Sequence, residues 1–195
     1  MCGIVSFVDY SQKIKKNDLD CATDSMILRG PEARGTLFLE NDKFNIGFGH
    51  RRLAILDIDD RSNQPFSIDD LIITYNGEIY NFNSLKEELI TLGFTFKTAS
   101  DTEVILQAYK AWGDNCFERF LGMFAFTIYN QLNKEVIIVR DRIGVKPLYY
   151  YHDNLCFAVA SQVNALQVLL NKDLKIDESA LFGFFSLGYV PGQNS

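Results

Sequence analysis

Short runs of β-branched and aromatic residues recur along the chain, with polar stretches between them. Such runs are typical of strands. They are GIVSFV, TLFLE, FNIGFG, LIITY, MFAFTIY, EVIIVR, PLYYY and LCFAVA. Connections of hairpin length join several of them, as NQLNK does between MFAFTIY and EVIIVR. The pattern therefore predicts antiparallel sheets.

Helices are predicted in fewer places. SLKEELITLG and SDTEVILQAYKAWG each open with a serine and a glutamate in capping-box spacing and stop at a glycine. These residues are Ser84, Glu87 and Gly93 in the first segment, and Ser100, Glu103 and Gly113 in the second. Another helix is predicted after Ser161 through ALQVLL, and another from near Asp177. Helices gathered on antiparallel sheets indicate an α+β fold built in layers.

The composition fits one domain. The chain has 195 residues, of which 47% are hydrophobic and 13% aromatic, so it can bury enough surface to offset the entropy of ordering. No internal repeat, low-complexity segment or linker rich in Pro, Gly or Ser divides it. We therefore expect a single domain over residues 1–195.

Charge and hydropathy exclude several classes of function. The formal net charge is -6 and the basic residues are scattered, so no basic stripe exists for nucleic acid or an anionic membrane. No apolar run approaches the roughly 18 residues of a spanning helix, and no signal peptide is evident. A cytoplasmic protein is expected. The cysteines lack CxxC spacing, which argues against a zinc site.

Cys2 stands directly behind the start methionine. Loss of Met1 would leave Cys2 with both a free thiol and the free α-amino group of the chain. An α-amine ordinarily has a pKa of about 7.7–8.0, so one residue would carry a nucleophile and a base suited to neutral pH. By itself a cysteine at position 2 is weak evidence, and a structural cysteine is the commoner outcome.

The stretch YNGEIYN follows the predicted strand LIITY and has two interpretations. Asn-Gly is the strongest short turn signal, which favours Asn76 and Gly77 at the tip of a hairpin. Alternatively, the side-chain amide of Asn76 and the backbone N–H of Gly77 converge on one point, as the donors of an oxyanion hole do. The residues alone favour the two interpretations about equally.

Other charged and titratable residues are weaker candidates. In GHRRLAILD, strand alternation sends Arg51 and Arg52 to opposite faces, so one guanidinium is available for a substrate carboxylate. Asp101 lies in the first turn of a predicted helix, where capping explains it and a substrate ammonium group is the alternative. His50 is expected to be a hydrogen-bonded structural residue. No GxSxG elbow occurs, which disfavours a Ser-His-Asp hydrolase.

Together these segments resemble one family. The order of nine segments is that seen in class II glutamine amidotransferases, specifically the glutaminase domain of asparagine synthetases. The segments are MCGI, RGP, HRRLAILD, QPF, YNGEIYN, SDTEV, GMFAF, RDRIGVKPLYY and FAVAS. The resemblance spans nearly the whole chain. It implies an N-terminal-nucleophile hydrolase fold, a four-layer sandwich with two antiparallel sheets between helical layers.

The resemblance also implies a role for each matching residue. Cys2 would attack the side-chain amide of glutamine and release ammonia and then glutamate through a thioester. Asn76 and Gly77 would hold the oxyanion. The implied substrate-binding residues are Arg52 for the carboxylate, Asp101 and Glu78 for the ammonium group, and backbone carbonyls near Ile55 and Leu56.

The resemblance implies no cofactor or metal for this domain. ATP and Mg would belong to a synthetase domain that receives the ammonia, and no SGGxDS-type loop for such a domain occurs in the chain. The implied partners are glutamine, a C-terminal synthetase domain or a separate synthetase subunit, and a second copy in a homodimer. Neither nucleic acid nor a membrane is expected.

The match departs from the family in two places. LRGPE has Leu28 and Glu32 where histidine and aspartate are frequent, and ASQVNAL has Gln162 and Asn164 where glutamate and lysine are common. Neither change touches the implied nucleophile. Two alternatives stay open: the glutaminase domain of a phosphoribosyl or hexosamine amidotransferase, and a non-catalytic domain of the same fold that binds glutamine or serves as a scaffold.

Overall fold

The chain folds into two groups of strands with helices beside them, and the computed structural model describes residues 1–53, 60–173 and 176–190. The strands are β1 (Gly3–Asp9), β2 (Ala33–Glu40), β3 (Asn45–Arg52), β4 (Phe66–Ile68), β5 (Leu71–Ile79), β6 (Gly122–Asn130), β7 (Glu135–Arg140), β8 (Tyr149–His152) and β9 (Cys156–Ala160). The α-helices are α1 (Lys16–Asp24), α2 (Phe82–Thr91), α3 (Asp101–Trp112), α4 (Cys116–Arg119), α5 (Val163–Leu170) and α6 (Glu178–Leu187).

The first sheet is built around the N-terminal strand. Its order is β2-β3-β1-β9-β8, and every pair of neighbours is antiparallel. The register sets Gly3 opposite Arg51 of β3 and Val5 opposite Ala160 of β9. Helices α1 and α5 pack against this sheet, and their buried leucines belong to its core. The start of the chain thus lies in the middle of a sheet and not at an edge.

The second sheet has the order β4-β5-β6-β7 and is also antiparallel. Helix α3 packs against β5. The core between this sheet and its helices is rich in aromatic side chains, including the fully buried Phe120 and Phe126, whose ring centroids lie 6.4 Å apart. The hairpin predicted at NQLNK is confirmed, because Asn130 of β6 pairs with Glu135 of β7.

The two sheets pack on each other through their remaining faces. Phe48 of β3 stacks on Tyr129 of β6 with ring centroids 6.1 Å apart. The hydroxyl groups of Ser6 in β1 and Thr74 in β5 form a hydrogen bond of 3.0 Å across the interface. Helices therefore cover the outside of a two-sheet sandwich. The α+β prediction and the layered order implied by the resemblance are both confirmed.

Helix α1 and strand β4 are not among the predicted elements. Of the residues in α1, KNDLDCATD, the buried ones are Leu19, Ala22 and Thr23. Polar residues fill most of its other positions, so the segment contains no apolar run that would mark it as a helix. Strand β4 is three residues long, too short to form a recognisable alternation.

The predicted start of α2 is wrong. The helix begins at Phe82 with Asn81 as its N-cap, so Ser84 lies inside the helix. The side chain of Asn81 donates to the carbonyl of Arg119 at 3.0 Å and accepts from the N–H of Leu121 at 3.0 Å. The N-cap residue thus contacts a segment that is distant in sequence. Capping signals are read from neighbouring residues and contain no information about such contacts.

The predicted start of α3 is confirmed at its N-cap. The hydroxyl of Ser100 accepts a hydrogen bond from the N–H of Thr102 at 3.1 Å. In a capping box the carboxylate of Glu103 would accept from the N–H of Ser100. Here it accepts instead from the N–H of Thr98 at 2.6 Å and from that of Lys97 at 2.9 Å. Glu103 therefore fixes the segment that leads into the helix.

His50 is a structural residue, as predicted. It is 1% exposed on β3, and its Nε2 forms a hydrogen bond of 3.1 Å with the backbone carbonyl of Tyr75 on β5. Burial lowers the pKa of His50 to about 3. The neutral imidazole therefore bridges the two sheets.

Replacing His50 with glutamine should reduce the sensitivity of the fold to acid. From about pH 6.5 down to about pH 3 the unfolded chain binds a proton on His50 that the folded chain does not. This residue should therefore lower the free energy of unfolding by about 1.4 kcal/mol for each pH unit of acidification. His50→Gln keeps a donor for Tyr75 and does not titrate. Urea unfolding at a series of pH values tests this, and identical slopes for the two proteins would contradict it.

Candidate active site

Cys2 lies at the end of the central strand β1. The pairing of Gly3 with Arg51 places Cys2 beside the end of β3. There the N–H of Leu53 approaches the sulfur at 3.3 Å, and the thiol lies 3.6 Å from the carbonyl oxygen of Leu53. The half-buried Cys2 lines a pocket of about 630 Å³, counting its open mouth, to which both sheets contribute.

The surroundings of Cys2 favour the neutral thiol over the thiolate. Burial has the largest effect and raises the pKa of the thiol. The hydrogen bond from Leu53 and the positive charges of the N-terminus, Arg52 and Lys146 lower the pKa, without cancelling the effect of burial. The thiol therefore needs a base that removes its proton before it can act as a nucleophile.

One edge of β5 presents backbone N–H groups to the pocket. The N–H of Tyr75 donates to Oε1 of Gln64 at 2.6 Å, and the N–H of Ile79 donates to Oδ2 of Asp101 at 3.1 Å. Gly77 lies between them in sequence, and its N–H points to the same edge because the N–H groups of a strand alternate between its two sides. A Cβ at Gly77 would lie 2.4 Å from the carbonyl oxygen of Met123. Close packing against β6 therefore requires glycine here.

Asn76 lies within β5, where it pairs with Ala125 of β6. The interpretation of Asn76 and Gly77 as a hairpin tip is therefore wrong, because pairing with β6 keeps this segment extended up to Ile79. Asn76 is 1% exposed, and its Nδ2 has no hydrogen-bond partner in the part of the chain that the structure describes. A buried donor without an acceptor costs about 1–3 kcal/mol. Asn76 is one of the residues that line the pocket that holds Cys2.

The predicted separation of Arg51 and Arg52 is confirmed. Arg51 lies on the α1 side of the sheet, where its Nη1 is 3.6 Å from the carboxylate of Asp24. Arg52 lines the pocket, and its Nη1 donates to Oδ1 of Asn63 at 2.7 Å. Of the two guanidinium groups, that of Arg52 is the one placed to meet an anionic group in the pocket.

Two acidic residues, Asp101 and Glu78, line the same pocket. Asp101 is 5% exposed, and its Oδ2 accepts from the hydroxyl of Tyr75 at 2.6 Å and from the N–H of Ile79. These bonds connect α3 to β5 and go beyond helix capping. Burial, with a further contribution from the charge of Glu78, raises the pKa of Asp101. A cationic group bound between the two carboxylates would relieve this cost.

The structure thus brings Cys2, Arg52, Asn76, Gly77, Glu78 and Asp101 together around one pocket. The predicted site residues Ile55 and Leu56 lie outside the described residues.

The motifs RGP and QPF supply supporting residues to which no role was assigned from the sequence. Nε of Arg29 donates to the carbonyl of Cys2 at 2.9 Å. A Cβ on the next residue, Gly30, would lie 2.4 Å from the backbone of Arg51, so glycine lets this segment approach β3 closely. The buried Gln64 holds the N–H of Tyr75. The only sequence signal for these roles was membership of the quoted motifs.

No group of His, Cys, Asp or Glu residues within the described ranges could hold a metal ion. No helix within them is both long and apolar enough to cross a membrane.

The layered sandwich is the fold of the N-terminal-nucleophile amidotransferases. The fold resembles that of the glutamine phosphoribosylpyrophosphate amidotransferase of Bacillus subtilis with a TM-score of 0.72, at 23% identity, over 86% of this chain and 43% of that one. This likeness concerns the fold alone.

The sequence comparisons give the family. The model of the glutamine amidotransferase domain matches residues 1–195. The chain is 39% identical to asparagine synthetase [glutamine-hydrolyzing] 1 of Bacillus subtilis, over 98% of this chain and 30% of that protein. It is 35% identical to asparagine synthetase [glutamine-hydrolyzing] 3 of the same organism, over 96% of this chain and 31% of that protein.

The chain belongs to the glutamine amidotransferase domain family. It spans less than half the length of the curated asparagine synthetases that it matches.

Proposed function

We propose that this domain hydrolyses glutamine to glutamate and ammonia, with Cys2 as the nucleophile. The observation that carries the proposal is the buried Nδ2 of Asn76, which lacks a partner within the described residues and belongs to a residue that lines the pocket of the thiol. A donor kept unpaired at that position is suited to charge that develops only during a reaction.

The first step is activation of the thiol. Once Met1 is removed, the neutral α-amine of Cys2 accepts the proton of its own Sγ–H group, which leaves a thiolate and an ammonium group on the same residue. The thiol needs such a base because burial raises its pKa. The carbonyl of Cys2, held by Nε of Arg29 at 2.9 Å, limits rotation of the residue.

The second step is attack on the side-chain amide of glutamine. A bond forms between Sγ and the amide carbon, and the C=O electron pair moves onto oxygen. The resulting oxyanion accepts hydrogen bonds from Nδ2 of Asn76 and the N–H of Gly77. Both donors belong to β5, and the strand's pairing with β6 holds them in place before the substrate arrives.

The last steps release the products. The oxyanion collapses, the C–N bond breaks, and the α-ammonium group of Cys2 gives its proton to the departing ammonia. Water then attacks the thioester, with the regenerated amine as the base, and frees glutamate and the thiol. Atoms balance as glutamine plus water giving glutamate plus ammonia.

Selection of glutamine falls to the charged groups around the pocket. Arg52 binds the α-carboxylate through its planar guanidinium. Asp101 and Glu78 bind the α-ammonium group. An analogue that lacks either charge loses one of these contacts, so it should be used less well than glutamine.

The ammonia, in this proposal, passes to a synthetase domain or subunit that forms an amide such as asparagine. The names of the matched relatives and the fraction of their length that the chain spans support this part. ATP and Mg would act in that synthetase part, and the cytoplasm is the proposed location. The higher identity to asparagine synthetases than to the phosphoribosyl enzyme favours this acceptor over the alternative.

Arg52→Lys should weaken glutamine use far more than Arg51→Lys. Lysine keeps the charge but loses the two-point contact with a carboxylate, so KM should rise about tenfold or more with a smaller change in kcat. Arg51 faces Asp24 on the other side of the sheet and provides a matched control. Ammonia release measured over a range of glutamine concentrations tests the pair. The opposite ranking would remove Arg52 from the proposed clamp, and no release by the wild type, freed of Met1, would overturn the proposed function.

A further inference from the structure

Lys146 is a buried cation in the wall of the same pocket, and the mechanism above does not use it. It is 4% exposed, and its Nζ lies 3.3 Å from the thioether sulfur of Met1. In the described ranges Lys146 forms no ion pair. A thioether is a weak acceptor for an ammonium group. Removal of Met1 takes even this partner away and leaves the cation in the pocket that Cys2 lines.

The backbone around Lys146 holds this side chain in place. Oδ2 of Asp141 accepts from the N–H of Lys146 at 2.9 Å, and its Oδ1 accepts from the N–H of Val145 at 2.8 Å. The guanidinium of Arg140 donates to the carbonyl oxygens of Lys146 at 2.6 Å and Gly144 at 2.7 Å. Gly144 has φ of 68°, which suits glycine in this tight loop. These bonds fix the backbone of the loop, and the loop in turn holds Lys146 in the pocket wall.

We propose that Lys146 is a positioning residue for the nucleophile, whose ammonium group keeps the α-amine of Cys2 neutral and its thiol easy to ionise. The inference rests on the proposed glutamine hydrolysis and adds a residue to it. A nearby positive charge disfavours a second one, so the amine stays unprotonated and able to accept a proton. The same charge stabilises the thiolate. Consistent with this, the charge of Lys146 lowers the pKa of the Cys2 thiol against the effect of burial.

Other charged groups also face Cys2 or share its pocket, and the two cations among them differ from Lys146 in bonding other protein groups. Arg52 bonds Asn63 and, as proposed, the substrate carboxylate, while Nε of Arg29 bonds the carbonyl of Cys2. The remaining titratable groups around the pocket are Glu78 and Tyr75 on β5 and Asp101 on α3. Their charges are present in every variant below, so a difference between variants reports Lys146.

The test compares Lys146→Met with Lys146→Arg by measuring how fast iodoacetamide alkylates Cys2 across pH 5.5 to 9. The proteins lack Met1, as checked by mass, and carry Cys21→Ser because Cys21 is an exposed thiol. Adducts are counted on the Cys2 peptide. Lys146→Met should move the midpoint of the thiol–amine pair upward by about one pH unit, and so lower the rate near pH 7 up to about tenfold. Lys146→Arg should keep the wild-type midpoint.

The acidic limb of kcat/KM for glutamine provides a second readout. It reports the pair that must be deprotonated, so it should move to higher pH in Lys146→Met and stay in place in Lys146→Arg. Lys146→Gln serves if the methionine variant does not fold. Wild-type midpoints in both neutral variants would overturn the inference, even if activity fell, since a purely structural role lowers the amount of active protein without moving a pH profile.

The outcomes separate this inference from the proposed function. One outcome is that Lys146→Met shifts the alkylation midpoint while the wild type does not hydrolyse glutamine. This would support the role of Lys146 and overturn the glutaminase proposal. Hydrolysis by the wild type together with unshifted midpoints in the Lys146 variants would support the glutaminase proposal and overturn the role of Lys146.

Discussion

Cys2→Ala is expected to abolish ammonia release from glutamine while leaving the fold almost unchanged. The substitution removes one sulfur atom that is half-buried and bonds only weakly to the backbone of Leu53. It also removes the only protein atom that bonds covalently to the glutamine carbon in the proposed mechanism. Intact mass after exposure to an electrophilic glutamine analogue measures the same point directly. Wild-type protein that lacks Met1 should gain one adduct, and Cys2→Ala should gain none.

The matched control for this prediction is Cys21→Ala, because Cys21 carries an exposed thiol away from the pocket. It should hydrolyse glutamine and take up the analogue like the wild type. An adduct that forms on Cys2→Ala would place the reactive group elsewhere. A correctly processed wild type that neither reacts with the analogue nor hydrolyses glutamine would overturn the proposed function and favour the non-catalytic alternative.

Asn76→Ala should lower kcat by about a hundredfold to a thousandfold, which is the usual cost of losing one oxyanion donor. KM should change little, because the donor acts on charge that forms after binding. Truncation of a buried polar group usually lowers the free energy of unfolding, but we expect no such loss in Asn76→Ala. The Nδ2 of Asn76 has no partner among the described residues, so its removal breaks no hydrogen bond there and relieves an unpaired donor.

Asn45→Ala is the control for Asn76→Ala. Asn45 is also buried on a strand, but its Nδ2 donates to the carbonyl of Ile14 at 3.2 Å and lies outside the pocket. This variant should lose stability in urea unfolding and keep its turnover per folded molecule. If Asn76→Ala instead lost stability and kept its kcat, Asn76 would be a structural amide and the oxyanion assignment would fail.

Much of the fold could be predicted from local patterns. The strand runs and the helices near Ser100 and Asp177 match the structure because apolar spacing and caps act over a few residues. The Asn-Gly pair shows the limit of this approach. Its local preference favours a turn, yet pairing with β6 from Leu71 to Ile79 keeps it in a strand. That pairing joins segments far apart in sequence, and local preference contains no information about it.

The candidate site was harder to predict because its members come from separate parts of the chain. Nothing in the spacing of Cys2, Arg52, Asn76 and Asp101 indicates that they share a pocket, and the resemblance supplied that grouping. Lys146 belongs to a quoted motif, but its interest arises only from its burial and its contact with Met1. Burial of a lysine depends on the packing of the whole fold and cannot be read from neighbouring residues.

The place of Cys2 at the end of a central strand also bears on when the protein becomes active. Chain ends are usually loose and accessible, but here β3 pairs with the first strand from Gly3 and β9 pairs with it from Val5. An aminopeptidase must draw the first residues into its own cleft, in competition with those hydrogen bonds. Translation adds roughly 5–20 residues each second. A few seconds therefore pass before β3, which pairs with Gly3, is made, and this interval on the ribosome is when we expect Met1 to be removed most readily.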